Sequence, residues 1–277
     1  EFDRQALALG PEGQAWLART RVAIVGLGGT GSPTAEQLVR VGVRDLVLVD
    51  RDTVDDTTLT RGYGTFREHV VPRSRARSKS RPVKKVTAVT SHLLRVAPEC
   101  TVRVADGDVV ETAQARELLD RDVIFCCVDE HWARAVLTQI AYQFLIPTLN
   151  MGVRLDVRAG RLIGAAGAVQ ILRPGAACLW CAGLLDPDRI RAESLSPTEH
   201  ERLLREGYVI GLGNRAPSVV SLTTTISALA VTAFLQLVTG FLGPDYEVTR
   251  QNYFINDGTV GPGRVAVREG CLCRQVV

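Results

Sequence analysis

Residues 21–40 read RVAIVGLGGTGSPTAEQLVR. The apolar run Val22 to Val25 meets four glycines, Gly26, Gly28, Gly29 and Gly31, and a helix-like stretch follows. A strand, then G-x-G-x-x-G, then a helix seats a nucleotide phosphate on a helix N-terminus, where backbone N–H groups are free to donate. Asp50 closes a second apolar run, DLVLVD, 19 residues beyond Gly31. An acid at that spacing accepts hydrogen bonds from ribose hydroxyls. NAD and ATP both carry that ribose. These residues alone therefore leave open a redox cofactor or a nucleotide that is consumed.

The surrounding pattern predicts an α/β fold. Strands are expected at 22–25, 45–49, 101–105 and 123–127, with a short one ending near Asn150. Helical segments at 32–41, 83–96, 112–119 and 131–144 separate them. Such alternation gives a doubly wound, mostly parallel, Rossmann-like sheet. Beyond residue 150 the pattern changes. Residues 153–172 read as paired strands, 186–206 as a polar stretch, 218–240 as an apolar helix, and 247–255 and 264–267 as closing strands. The expected organisation is a nucleotide-binding half (1–150) and a second half (151–277) that extends the sheet with antiparallel strands, together one continuous domain.

The chain has 277 residues, 46% of them apolar, which is ordinary globular composition. A net charge of +3 gives no case for nucleic acid or a membrane. Seven cysteines form no small secreted framework and no apolar signal core is visible, so a reduced, cytoplasmic setting is expected. The segment 218–240 is long enough to cross a bilayer. Its three consecutive threonines, Ser227 and Gln236, and the lack of a basic flank, favour a buried core helix.

The charges after Asp50 bear on which nucleotide is bound. Arg51, Asp52, Arg61, the basic loop PRSRARSKSRP (72–82) and Lys84–Lys85 follow in order. Only three of the 33 basic residues are lysines, and Lys84 and Lys85 are two of them. Reaction at the α-phosphorus of a triphosphate places further charge on the leaving pyrophosphate, and fixed cations stabilise it. A dinucleotide's diphosphate needs much less. Asp129, after the fourth strand, suits a Mg²⁺ ion against phosphate oxygens, with a helix N-cap as the simpler alternative. CLWC (178–181) and CLC (271–273) supply two short thiolate pairs, Cys178 with Cys181 and Cys271 with Cys273. Four thiolates suit a closed, structural Zn²⁺ site.

Together these stretches resemble the ubiquitin-activating-like adenylating enzymes of the ThiF, MoeB and HesA type. The resemblance covers FDRQ (2–5), VGLGGTGS (25–32), LVDRDTVDDTTLTR (48–61), KVTAVTSHLLRVAP (85–98), VDEHWAR (128–134), CLWC and the helix of 216–240. It implies adenylation of a C-terminal carboxylate with pyrophosphate as leaving group. By the same resemblance, Gly26, Gly28, Gly29 and Gly31 pass close to ATP, and Asp50, with Asp52 beside it, holds the nucleoside. Arg61 and Lys85 grip phosphates, Asp129 holds Mg²⁺, and Arg4 reaches the triphosphate of the neighbouring subunit in a homodimer. The implied substrate is a ubiquitin-like or sulfur-carrier protein ending in glycine, or, as an alternative, a small peptide.

Several features depart from the family's pattern. Thr58 and Gly62 stand where Asn and Gln are usual, the loop 66–82 is long, and CLC has one intervening residue rather than two. Residues 182–216 contain no cysteine, which argues against thioester transfer by that route. Cys126 and Cys127 read as buried strand residues and His131 as structural. The rival readings are a non-catalytic scaffold partner, favoured by Thr58 and Gly62, and an NAD-dependent oxidoreductase, which rests on the glycines and Asp50 alone.

Overall fold

The computed structural model describes residues 2–70, 82–196, 198, 199, 202, 217–243 and 245–275. Its centre is a sheet in the order β3-β2-β1-β4-β5-β6-β7-β8. The parallel part comprises β1 (Arg21–Val25), β2 (Asp45–Asp50), β3 (Thr101–Asp106), β4 (Val123–Cys126) and the start of β5 (Thr148–Arg158). The antiparallel part adds β6 (Arg161–Leu172), β7 (Arg250–Phe254) and β8 (Thr259–Pro262). The helices are α1 (Asp3–Arg19), α2 (Gly31–Val41), α3 (Lys85–Val96), α4 (Thr112–Arg116), α5 (His131–Gln143), α6 (Pro187–Glu193) and α7 (Val220–Thr239).

The inner strands β1, β2 and β4 carry unbroken apolar runs, Val22–Val25, Leu46–Val49 and Val123–Cys126, because helices cover both faces. Val22, Ile24, Leu46 and Leu48 pack with α1, α2, α3 and α7. Ala23, Val25, Val47 and Val49 face Ala133, Leu137 and Ile140 of α5. Each fully buried Leu or Ile contributes about 1.5–3 kcal/mol relative to exposure. Phe125 of β4 meets Phe234 of α7 at a centroid distance of 5.6 Å, joining sheet to helix. By length and mean hydropathy α7 is apolar enough to cross a membrane. Here its Ile226, Ala230, Val231 and Phe234 lie in the core, as expected of a core helix.

Two expectations are corrected. The short strand near Asn150 and the first strand of the later pair are one element. β5 pairs in parallel with β4 over Thr148–Asn150 and antiparallel with β6 from Thr148 out to Arg158. A tight turn at Ala159 and Gly160, both with positive φ, reverses the chain there. Residues 264–267 form no strand. Their alternating Val265 and Val267 pack beside the cysteine cluster, so burial without a ladder produces the same alternation. The closing strand is instead Thr259–Pro262, reached through the Asn256-Asp257-Gly258 turn. Of the basic loop 66–82, Arg67–His69 forms a 3-10 turn and 71–81 lie outside the described residues.

Candidate active site and thiol cluster

β1 pairs with β2 on one side and β4 on the other, so the chain winds in opposite directions from it. In an open α/β sheet this leaves a crevice at the carboxyl ends of those strands. A cleft of about 770 Å³ occupies that place. Gly26, Gly28, Gly29, Asp50, Asp52, Arg61, Lys85 and Asp129 all line it.

The glycines serve different ends. Gly26 has φ +88°, and a Cβ there would lie 2.8 Å from the Cys127 carbonyl oxygen. At Gly31 a Cβ would lie 1.7 Å from the Gly26 carbonyl oxygen, so the turn into α2 admits no side chain. Gly28 differs: a Cβ there would meet nothing within 4 Å. The fold does not demand that glycine, and its missing side chain leaves room in the cleft. The turn is braced from α7. Ser227 Oγ donates to the Thr30 carbonyl oxygen at 2.7 Å, and Thr223 lies against Gly29.

Asp50 is buried at the end of β2. Its Oδ2 accepts from Leu27 N at 2.6 Å and its Oδ1 from Asp52 N at 2.8 Å. Each oxygen keeps a further lone pair, so two hydroxyl donors can still be accepted. Burial pushes the Asp50 carboxyl up from its ordinary range, opposed by the Lys85 ammonium and the two amides. Lys85, the first residue of α3, is buried and donates from Nζ to Asp52 Oδ2 at 2.7 Å. Arg61 lines the same cleft, and its buried Nε has no hydrogen-bond partner among the described residues. A buried donor without an acceptor costs about 1–3 kcal/mol unless a ligand supplies one.

Asp129 stands exposed at the mouth of the cleft. It is not the cap of α5. Glu130 holds the N-cap position without a capping bond, and Glu193 of α6 accepts from Trp132 N at 2.7 Å. Arg4 is exposed on α1 and does not line this chain's own cleft. Its helix is fixed, since Gln5 and Gln14 both donate to the Val41 carbonyl oxygen, at 2.6 and 3.1 Å.

The two departures from the family pattern pack on one another. Thr58 is buried, and Asp55 Oδ1 accepts from both its amide and its hydroxyl at 2.7 Å. A Cβ at Gly62 would lie 3.0 Å from Thr58 Cγ2 and 3.0 Å from Thr65 Oγ1. Gly62 thus makes room for the two threonines. Burial pushes the Cys126 thiol up to about 11 and the Cys127 thiol well above its ordinary value, so neither is a thiolate nucleophile at neutral pH. His131 Nδ1 accepts from Asp186 N at 3.0 Å, a structural contact.

The sequence reading missed the outer charged group. Arg51 pairs with Asp108 and with Glu130, all three on the cleft wall. No spacing signals this, because the partners follow different strands.

The second site lies apart from the cleft. Sγ atoms of Cys178, Cys181, Cys271 and Cys273 all fall within 4.8 Å of one another. The separations Cys178–Cys271, Cys181–Cys273 and Cys178–Cys181 are 3.5, 3.6 and 3.7 Å. With metal–sulfur bonds of about 2.3 Å, the edges of a tetrahedral site are about 3.8 Å. One intervening residue in CLC suffices because the 3-10 turn Leu272–Arg274 folds Cys273 inward. Burial pushes the Cys178 thiol up, so a cation is needed to hold it as thiolate. Tyr142, Leu172, Leu179 and Leu185 enclose the group.

Comparison with known proteins agrees with this architecture. Ubiquitin-like modifier-activating enzyme 5 of Xenopus laevis is 26% identical over 222 residues, 76% of this chain and 47% of that protein. The chain spans about half the length of the curated relatives it matches. Among solved structures, E. coli MccB with ATP superposes with TM-score 0.70 at 16% identity, covering 94% of this chain and 68% of that one. E. coli MccB with AMPCPP and selenomethionine MccA gives 0.71 at 15%, covering 98% and 72%. A family model described as the ThiF family matches residues 2–271, and the chain belongs to that family.

Proposed function

We propose that the cleft binds ATP and that the chain adenylates the C-terminal carboxylate of a polypeptide, releasing pyrophosphate. The observation that carries this reading is the buried, partnerless Nε of Arg61 in a cleft kept open at Gly28. A triphosphate oxygen supplies the acceptor that Arg61 lacks. Asp50 receives the ribose hydroxyls, and Lys85 exchanges Asp52 for a phosphate oxygen. A substrate carboxylate oxygen attacks the α-phosphorus, and the bond from that phosphorus to the bridging oxygen breaks. Arg61 and Lys85 offset charge gathering on the pyrophosphate, and alignment contributes the remainder. No protein nucleophile takes part, in keeping with the neutral Cys126 and Cys127. Arg4 completes the site from a second copy of the chain.

Asp129 and Asp52 would hold a Mg²⁺ ion, which supplies charge neutralisation to phosphate oxygens. The four clustered thiols would hold a structural Zn²⁺ ion, which cross-links the C-terminal segment to the CLWC turn. The free thiols suit the cytoplasm.

The substrate reading shifts from the sequence expectation. MccB superposes over nearly the whole of this chain, and its solved complexes hold MccA, selenomethionine-labelled in one and N-formylated in another. The likeness to MccB moves the reading to the peptide alternative, ahead of a ubiquitin-like or sulfur-carrier protein. The test is pyrophosphate release against peptides with a free C-terminal carboxylate and their C-terminally amidated twins. Release with the free acids alone is expected. Release that ignores amidation, or none with any peptide while a ubiquitin-like protein is active, overturns the peptide reading.

A further inference from the structure

We propose that Arg51 is a positioning residue for the nucleoside end of the cleft, fixing the spacing of the loops that follow β2, β3 and β4. The inference rests on the nucleotide reading above and concerns the opposite end of the ligand from Arg61 and Lys85. The β2–β3 ladder stops at Asp50–Asp106 and the β1–β4 ladder at Val25–Cys126. Beyond those pairs the three loops separate, and the wall past Asp50 is built from Arg51, Gly107, Asp108, Val109, Val128 and Glu130.

One guanidinium ties that wall together. Arg51 NH1 meets Asp108 Oδ2, and Arg51 NH2 meets Glu130 Oε1. Asp108 Oδ1 meanwhile accepts from Val110 N at 3.2 Å, which fixes the loop after β3. Glu130 performs no capping at α5, so its carboxylate is committed to Arg51. The Arg51 carbonyl oxygen accepts from Lys84 Nζ at 2.8 Å, and the same ammonium lies 2.9 Å from Asp106 Oδ1. The two cations thus lace together the ends of β2, β3 and β4 and the start of α3. A planar guanidinium holds two carboxylates in a fixed geometry, which an ammonium does not. Because Asp50 sits at the start of this wall, the loops beyond it receive the base of any nucleotide whose ribose Asp50 binds.

The test compares wild type with Arg51→Ala, Arg51→Lys and Glu130→Gln, measuring ATP and AMP dissociation constants by calorimetry, with thermal midpoints alongside. Arg51→Ala is expected to weaken ATP and AMP by the same factor, about tenfold. Arg51→Lys should recover only part of that loss, and Glu130→Gln should weaken both ligands several-fold. In pyrophosphate exchange the KM for ATP rises while kcat holds. A purely structural role predicts a lower midpoint with dissociation constants within twofold of wild type, and that result overturns the proposal. Glu130→Gln preserves shape and decides the matter if Arg51→Ala fails to fold. Failure of wild type to bind ATP overturns instead the nucleotide reading beneath it.

Discussion

The cleft gathers side chains from the loops after β1, β2, β3 and β4 and from α3 and α7, whereas the thiol cluster needs only a four-residue and a three-residue segment. The cleft is open and charged, and it retains a buried donor without an acceptor. The cluster is enclosed by apolar side chains, with three of its four cysteines buried. One region is arranged so that a ligand can come and go. The other, on the proposed zinc reading, would leave the ion no open position and would act as a cross-link. Stability and turnover are therefore expected to respond to different residues.

The largest effect should come from the closed region. Replacing Cys178 and Cys181 together by Ser, or stripping metal with a strong chelator, should cost about 5 kcal/mol and lower Tm by about 10–15 °C. Elemental analysis and thermal melts check this. A metal-free chain with an unchanged Tm would break the comparison. In the turn between β1 and α2, two glycines should part company. Gly31→Ala should cost about 4 kcal/mol or fail to fold, because its Cβ meets a backbone oxygen. Gly28→Ala should leave the melt unchanged and weaken ATP binding, since its Cβ meets only open space.

Next in size, Arg61→Ala should lower pyrophosphate exchange about 100-fold, the scale for losing one charge-stabilising donor. Its Tm should stay level or rise, because a buried unsatisfied group is removed. The smallest effect belongs to neither region. The Asp120 carboxylate accepts from the Arg121 and Arg103 guanidiniums, and hydrogen bonding from Arg121 holds its carboxyl well below the usual range. A depressed carboxyl stabilises the fold above its unfolded value, and that contribution disappears as pH falls through the folded one. Solvent screening limits it, so Asp120→Asn should cost about 0.5 kcal/mol at pH 7. Denaturant titrations should show the difference shrinking toward pH 2.

The parallel half was legible because continuous apolar runs such as Val22–Val25 need cover on both faces, and glycine spacing marks where the first run ends. Asp50 and the two cysteine pairs were legible because chemistry limits what can stand there. Pairing across the mouth of the cleft was not. Arg51 finds Asp108 and Glu130 only once β3 and β4 are stacked beside β2, and no local pattern encodes that stacking. Alternation at Val265 and Val267 misled for a related reason, since packing on the thiol cluster imitates a half-buried strand. The turn at Ala159–Gly160 carries only one of the residues that signal positive φ, and Gly152 does not interrupt β5.

On the proposed reading, the open region is an ATP site whose phosphates meet Arg61. The most direct measurement is the thermal midpoint of wild type and Arg61→Ala with Mg·ATP, Mg²⁺ alone, NAD⁺ and NADP⁺. Saturation at a hundred times the dissociation constant stabilises by about 2.7 kcal/mol, a rise of roughly 5–10 °C for a chain of this size. That rise is expected for wild type with Mg·ATP, a much smaller one for Arg61→Ala, and none with the dinucleotides. A rise with NAD⁺ in place of ATP, or an equal rise with Mg·ATP in the variant, would contradict it.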